Sequence, residues 1–144
     1  MSISIQMITP ANTPLLANIA DDVFDDAIAA DRLKTFLLDS RHVMFIAMDD
    51  ALVVGQIRGN VHLQPDRASD LYIDNLGVSP SHQRRGIASQ LIGALIRWAA
   101  AQGCTYAWVA TETDNDGGIR FYEAQRFERR TLEWFATTID TAGS

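Results

Sequence analysis

The residues whose types and spacing are best suited to binding a ligand lie at positions 83–89, where a turn with two arginines leads into an amphipathic run. Gly86 and Ala88 carry little or no side chain, so an anion can approach the backbone there. The N–H groups that begin a helix have no intrahelical partners and lie at the positive end of its dipole, and Arg84 and Arg85 add charge. The segment predicts a cradle for a pyrophosphate; an ordinary helix start with solvated arginines is the alternative.

Two regular patterns flank this cradle. Residues 71–78 form an apolar and aromatic run typical of a strand, which Pro80 ends because proline has no amide hydrogen for a sheet. From Gly86 onward the apolar residues recur at helical spacing, at Ile87, Leu91, Leu95 and Trp98. The sequence therefore predicts a strand, a phosphate-binding turn and a helix that begins near residue 85 or 86.

The turn differs from the common nucleotide-binding loops, since it has neither the Lys-Ser/Thr of a Walker loop nor G-x-G-x-x-G spacing. Gln83-Arg84-Arg85-Gly86-Ile87-Ala88 instead resembles the Gln/Arg-x-x-Gly-x-Gly/Ala loop of the GNAT superfamily of acetyl-coenzyme A dependent N-acetyltransferases. The resemblance implies an α/β (α+β) fold with a central mixed, mostly antiparallel sheet, a splayed parallel strand pair and flanking helices. It implies acetyl-CoA as co-substrate and no metal.

The same resemblance implies where coenzyme A binds. Its pantetheine arm is similar to a peptide and can add to an exposed strand edge. In the family this edge is the end of the central strand, which here corresponds to Leu76, Gly77 and Val78. The pyrophosphate is then expected at the motif that Gln83 opens, on Arg84, Arg85, Gly86, Ile87, Ala88 and Ser89.

A second motif follows at Asn115 and Tyr122, which resemble the family's Asn-x-x-Ala-x-x-x-Tyr followed by Gly-Phe. Gly118 stands where alanine is common, and Arg126 stands where glycine usually precedes the phenylalanine. Asn115 can cap a helix, bind the cofactor arm, or do both. The phenol of Tyr122, with a pKa of about 10 against about 8.5 for a thiol, is the candidate to protonate or hydrogen-bond the leaving thiolate. A tyrosine packed on a helix face is the alternative.

Acetyl transfer also requires a base, because an alkylammonium is mostly protonated at neutral pH. Asp74, in the central strand, is the first candidate, and Glu112 and Asp114 are the next. Many relatives carry glutamate where this chain has Asn75, which leaves the assignment open. A backbone N–H near Leu76 can hold the oxyanion.

Acidic runs at Asp21-Asp22 and Asp25-Asp26 indicate either a solvated face or a wall for a cationic acceptor. The predicted acceptor-binding residues are Asp25, Asp26, Asp74, Asn75, Glu112 and Asp114. Residues 71–78 and 107–115 resemble the GNAT-type aminoglycoside 3-N-acetyltransferases. Polyamines, amino acids and peptides are alternative acceptors, and a non-catalytic acetyl-CoA sensor is the alternative function.

Composition limits the remaining possibilities. A chain of 144 residues with 47% hydrophobic content favours a single domain over residues 1–144. A net charge of −6 disfavours a nucleic-acid partner and suits a cationic small molecule. Without a signal peptide or a long apolar stretch, we expect a cytoplasmic protein with no membrane partner. The single cysteine, Cys104, excludes a disulfide framework. A homodimer is compatible with the sequence.

The other periodic segments predict the elements around this centre. One face of the strand predicted at Leu52–Leu63 is polar and could meet solvent or line an acceptor groove. The predicted set comprises a strand at 2–8, a helix from Pro14 that carries Leu15 to Phe24, a helix at Asp31–Leu38, a hairpin of Val43–Met48 and Leu52–Leu63, a covered interior strand at Thr105–Thr111, a helix at Gly117–Ala124, and a strand or strand pair at Phe127–Ile139.

Overall fold

The computed structural model describes residues 2–141, which fall into two compact units. The first extends to Ala110 and the second begins at Thr111. The first holds β1 (Ile3–Met7), α1 (Ala30–Leu38), β2 (His42–Asp49), β3 (Leu52–His62), β4 (Asp70–Val78), α2 (Ile87–Ala101) and β5 (Tyr106–Trp108), with short 3-10 turns at Thr13–Ala17 and Pro80–His82. The second holds α3 (Asp116–Ala124).

The five strands form one sheet in the order β1-β2-β3-β4-β5. Neighbours from β1 to β4 are antiparallel, and β5 is parallel to β4. On one face, α2 packs closely on β3, where a Cβ at Gly55 would lie 3.2 Å from both Ile87 and Leu91. On the other face, α1 and the chain before it cover a core that includes Val23, Ile46 and Val53. The predicted fold class is confirmed.

The helix predicted from Pro14 to Phe24 is wrong beyond the 3-10 turn Thr13–Ala17. The chain instead joins the sheet: the Ala20 amide donates to the Val53 carbonyl, and the Val53 amide donates to the Asn18 carbonyl, both at 2.9 Å. Asp22 then adopts a φ of +62°. The helical pattern does not produce a helix here, because the segment buries the same apolar side chains when it lies extended across the sheet.

The prediction for the end of the chain also fails. The strand predicted at Thr105–Thr111 is only Tyr106–Trp108, and it forms an edge of the sheet with Trp108 38% exposed. Residues 128–141, where a strand or strand pair was expected, contain no helix or strand. Alternation of side chains predicts a strand only where a neighbouring strand supplies backbone hydrogen bonds.

Within residues 2–141, no helix is long and apolar enough to cross a membrane.

Candidate active site

The strand β4 carries two different edges. It pairs with β3 as far as Val78, but with β5 only at residues 70–72. The two parallel strands therefore part after Tyr72, and the remainder of β4 presents an edge that β5 does not cover. Open α/β sheets bind ligands where strands diverge in this way, and an extended arm can add to such an edge. The predicted cofactor residues Leu76, Gly77 and Val78 lie on this segment.

The loop after β4 has the backbone shape of an anion site. Arg84 has a φ of +63° and Gly86, the N-cap of α2, a φ of +77°. Left-handed residues in a turn can direct successive N–H groups toward a common point. No atom lies within 4 Å of a Cβ built on Gly86, and Arg84 and Arg85 are exposed. A pyrophosphate fits this arrangement, in which Ile87, Ala88 and Ser89 form the first turn of α2.

Two side chains hold this loop in place. Gln83 donates from Nε2 to the Val78 carbonyl at 3.3 Å, so its role here is to tie the loop to the end of β4. His82 is buried between Asp49 Oδ2, 2.9 Å from its Nε2, and Ser81 Oγ, 2.8 Å from its Nδ1. These contacts anchor the turn to the β2–β3 hairpin. Sequence reasoning missed them because Asp49 and His82 are remote in the chain.

Gly77 has a steric role that the sequence did not reveal. A Cβ at this position would overlap the Val23 carbonyl oxygen and lie 3.1 Å from its carbonyl carbon. The segment that carries Asp21 to Asp26 therefore passes directly over β4, on the sheet face opposite α2. Glycine is required for this close approach, whatever the strand edge binds.

A polar network lies beneath that segment. Gln56, fully buried, donates from Nε2 to the Val23 carbonyl at 3.1 Å and to Asn75 Oδ1 at 2.6 Å. Asn75 donates in turn to Asp25 Oδ2 at 3.4 Å. Two predicted acceptor residues, Asp25 and Asn75, are thus brought together. Gln56 was missed, although the polar face of its strand was the available signal; that face is partly covered rather than simply solvated.

The segment borders two open depressions. One, of about 270 Å³, is lined by Ile19, Ala20 and residues 24–28, including both predicted carboxylates Asp25 and Asp26. The other, of about 400 Å³, lies between Asp21-Asp22 and the turn at Ser79–Ser81. The acidic run is therefore an open surface, with Asp21 and Asp22 beside the turn at Ser79–Ser81, and not the polar face of a helix.

Asp74 occupies a bulge in β4. The register passes from Arg58 opposite Asn75 to Gly59 opposite Ile73, which leaves Asp74 without a cross-strand partner. Bulges redirect side chains and are common beside active sites. Asp74 is exposed, and Asn60 Nδ2 donates to its two oxygens at 3.3 and 3.1 Å. These bonds orient the carboxylate while leaving it acceptor capacity for an ammonium or a water molecule.

The second unit carries the other predicted residues, Glu112, Asp114, Asn115 and Tyr122. Glu112 and Asp114 are exposed in the segment before α3. Asn115 caps this helix, accepting the Gly118 amide at 3.1 Å, and donates to Thr111 Oγ1 at 2.7 Å. A Cβ at position 118 would overlap the end of the Asn115 side chain, so alanine there would require that side chain to shift.

Tyr122 packs between two other aromatic rings, with centroid distances of 5.1 Å to Phe121 and 5.4 Å to Phe127. Burial raises the pKa of its phenol to about 12. Arg126, just after α3, has a φ of +67°. Arg126 therefore adopts the left-handed backbone conformation that the family's glycine provides at this turn.

A model of the GNAT family of acetyltransferases matches residues 11–127 of the chain. The chain belongs to this family. It is therefore an acetyl-CoA-dependent N-acetyltransferase.

Two curated relatives share sequence with this GNAT protein. An aminoglycoside N(6')-acetyltransferase type 1 of Salmonella typhimurium is 32% identical over 109 residues, covering 72% of this chain and 74% of that protein. An N-acetyltransferase 8B of Rattus norvegicus is 29% identical over 111 residues, covering 76% of this chain and 50% of that protein.

Solved structures share the fold. An aminoglycoside acetyltransferase from an uncultured soil metagenomic sample superposes with a TM-score of 0.84 at 22% identity, covering 97% of this chain and all of that one. AAC(6')-Iy in complex with the bisubstrate analogue CoA-S-monomethyl-acetylneamine gives 0.81 at 20% identity, covering 96% and 100%. The comparisons support the predicted GNAT family but not the resemblance to the 3-N-acetyltransferases, because the Salmonella typhimurium relative is an N(6')-acetyltransferase.

Proposed function

We propose that this protein acetylates a primary amine of an aminoglycoside, at the 6' position, with acetyl-CoA held along β4 and the loop that follows it. The observation that carries the proposal is Asp74, a carboxylate redirected by a bulge to the sheet face over which the Asp25 segment lies. A polycationic sugar suits such a surface because several carboxylates attract it. The relationship to a 6'-N-acetyltransferase supports the same acceptor.

The reaction assigns different tasks to this chain's residues. The backbone of Leu76 to Val78 would hold the pantetheine arm, and residues 84–89 the pyrophosphate. When bound, acetyl-CoA supplies the thioester carbonyl carbon. The amine nitrogen forms the new C–N bond, the C–S bond breaks, and the amine loses a proton while the thiolate gains one. An amide N–H near Leu76 would stabilise the oxyanion.

For the base, we propose Asp74, acting through water, with Glu112 and Asp114 as alternatives. Asn60 Nδ2 donates to both oxygens of Asp74, which positions the carboxylate to hold a water molecule that relays the proton. Within the first unit, Asp74 would also bind the acceptor's ammonium groups together with Asp25, Asp26 and Asn75.

For the leaving thiolate, we propose hydrogen-bond donation by Tyr122, with Asn115 contacting the cofactor arm. A phenol with a pKa of about 12 remains protonated at neutral pH. Full proton transfer from it to a thiolate whose conjugate acid has a pKa near 8.5 is uphill. Tyr122 therefore stabilises the departing sulfur mainly by donating a hydrogen bond, and solvent completes the protonation.

The test is a thiol-release assay with acetyl-CoA on a panel of acceptors. Paired aminoglycosides that carry an amine or a hydroxyl at the 6' position form its centre, with polyamines, amino acids and lysine peptides beside them. Of each pair, we expect turnover of the 6'-amine member and not of its 6'-hydroxyl counterpart, with a product acetylated at that nitrogen by NMR, and we expect slower turnover of short polyamines. Equal turnover of both members would refute the 6' position. Tight acetyl-CoA binding without turnover of any amine would support the alternative function, a non-catalytic acetyl-CoA sensor.

For the assembly, we propose a homodimer of single-domain chains. Four large apolar side chains after α3 are 79–88% exposed, namely Leu132, Trp134, Phe135 and Ile139. Apolar surface of this kind marks an interaction site, and a second copy is the partner always present. Light scattering on the purified protein should give twice the chain mass, and Trp134→Lys should give the monomer. A cytoplasmic location stays a prediction of the sequence.

A further inference from the structure

An aromatic pair lies at the point where β4 and β5 part. Tyr72 and Trp108 are the last cross-strand partners of this strand pair. Their ring centroids are 4.4 Å apart, with the planes inclined at 42°. Trp108 is 38% exposed, and Tyr106, on the same side of β5, is 58% exposed. The opening between the strands therefore begins with accessible aromatic surface.

The tryptophan ring is oriented by a half-buried carboxylate. Trp108 Nε1 donates to Asp70 Oδ2 at 2.8 Å, and Gln64 Nε2 donates to Asp70 Oδ1 at 3.0 Å. The side chain of Asp70 is only 15% exposed. Burial opposes its ionisation, but these two hydrogen bonds, together with the nearby charges of His62 and Arg67, outweigh burial and lower the pKa of Asp70. An ionised acceptor strengthens the bond to the indole, so the ring is fixed before any ligand arrives.

The pair shares a sheet face with the proposed catalytic carboxylate. Tyr72 lies opposite Asn60 on β3, and Asn60 is the residue that binds Asp74. At a strand rise of about 3.3 Å per residue, Tyr72 lies roughly 13 Å along β4 from Leu76, where the thioester is proposed. One sugar ring cannot span both places, whereas an acceptor of two or three linked rings can.

We propose that Tyr72 and Trp108 form a second acceptor subsite, a platform on which a ring of the amino sugar remote from the acetylated amine stacks. This inference rests on the proposed function. The C–H face of a sugar ring matches the apolar face of an indole, and an ammonium group attached to the ring is attracted to the same π surface. The platform therefore selects acceptors with several rings over short polyamines.

The first experiment compares two acceptors in one set of variants. With saturating acetyl-CoA, Trp108→Ala should raise the KM for a three-ring 6'-amino aminoglycoside by about three- to tenfold, the size of a lost aromatic contact, with little change in kcat. The KM for spermidine, which has no ring, should not change. Trp108→Phe should restore part of the affinity. Asp70→Asn should give a smaller rise, since the ring remains but is held less firmly.

The matched control is Tyr106→Ala, which removes an exposed aromatic ring on the same strand, two residues from the opening. Thermal melts establish that each variant is folded. An equal KM increase from Tyr106→Ala, or an equal increase for spermidine in Trp108→Ala, would overturn the platform by showing a general effect on the edge strand.

A second measurement does not depend on turnover. In a variant that retains Trp108 alone, with Trp98→Phe and Trp134→Phe, titration with the aminoglycoside in the presence of coenzyme A should change the tryptophan fluorescence, and spermidine should not change it. Unchanged tryptophan fluorescence at acceptor concentrations above KM would overturn the platform and leave the proposed function in place. If the wild-type protein turns over polyamines but no amino sugar, the proposed acceptor has failed, and the platform fails with it.

Discussion

Replacing Gly77 by alanine is expected to loosen the acidic segment that lies over β4. The new Cβ would overlap the Val23 carbonyl oxygen and lie 3.1 Å from the carbon that bears it. Unstrained contacts between such atoms are about 3.5–4.0 Å, so the segment must retreat by roughly an ångström. The neighbour that must move is backbone, and Val23 is itself 1% exposed and held by Gln56. No flexible side chain can absorb the methyl group.

The expected cost is that of overpacking, about 1–3 kcal/mol of unfolding free energy. For a chain of this size, that cost lowers Tm by about 3–10 °C. Asp25 and Asp26 move with the segment. If each exposed carboxylate contributes about 0.2–1 kcal/mol to acceptor binding, the acceptor KM rises by about two- to thirtyfold. The coenzyme A affinity should change less, because the methyl group points away from the sheet plane and not along the strand edge.

The assay pairs a thermal melt with acceptor and coenzyme A titrations. Gly93→Ala is the matched control in the same unit: its Cβ would meet only the end of the flexible Arg97 side chain, at 3.3 Å, and helix propensity favours alanine there. A wild-type Tm and acceptor KM in Gly77→Ala would refute the steric argument. A loss confined to coenzyme A affinity would assign Gly77 to the cofactor edge alone.

Four further outcomes follow from the site. Gly86→Asn, which tolerates the positive φ but places a side chain over the cradle, should weaken coenzyme A binding by calorimetry about tenfold or more with a near-normal melt; unchanged affinity would contradict the cradle. Tyr122→Phe should lower kcat at saturating acceptor while leaving coenzyme A affinity unchanged. Because the phenol acts chiefly as a hydrogen-bond donor, the expected loss lies near the lower end of the roughly 10²–10⁴-fold range for general acids. A kcat equal to that of the wild type would remove Tyr122 from the mechanism. If Asp25 and Asp26 attract the acceptor, its KM should rise with salt, since exposed charges are screened over about 10 Å at 0.1 M; a KM indifferent to salt argues against the acidic wall. Arg126→Gly should raise the unfolding free energy by up to about 1–2 kcal/mol, because it relieves a left-handed backbone, and a lower Tm would show that the arginine side chain is needed.

Much of this protein is encoded locally. The change of hydrophobic period at Gly86 predicted the strand, the turn and the helix that the structure shows, because each depends on neighbours within a few residues. The cap at Asn115 was predicted for the same reason. The family resemblance added the prediction of a splayed strand pair. The structure confirms it, because β4 pairs with β5 only at residues 70–72.

Tertiary structure decided the features that depend on partners remote in the chain. The helical pattern after Pro14 became an extended segment because Ile19 lies beside Val53, thirty-four residues later. The same packing explains why Gly77 must be glycine and why Gln56 is buried. Asp74 became a bulge residue only through the register of β4 on β3. Side-chain pattern specifies which face of an element is apolar, but what covers that face, and which polar groups meet there, is settled by long-range packing.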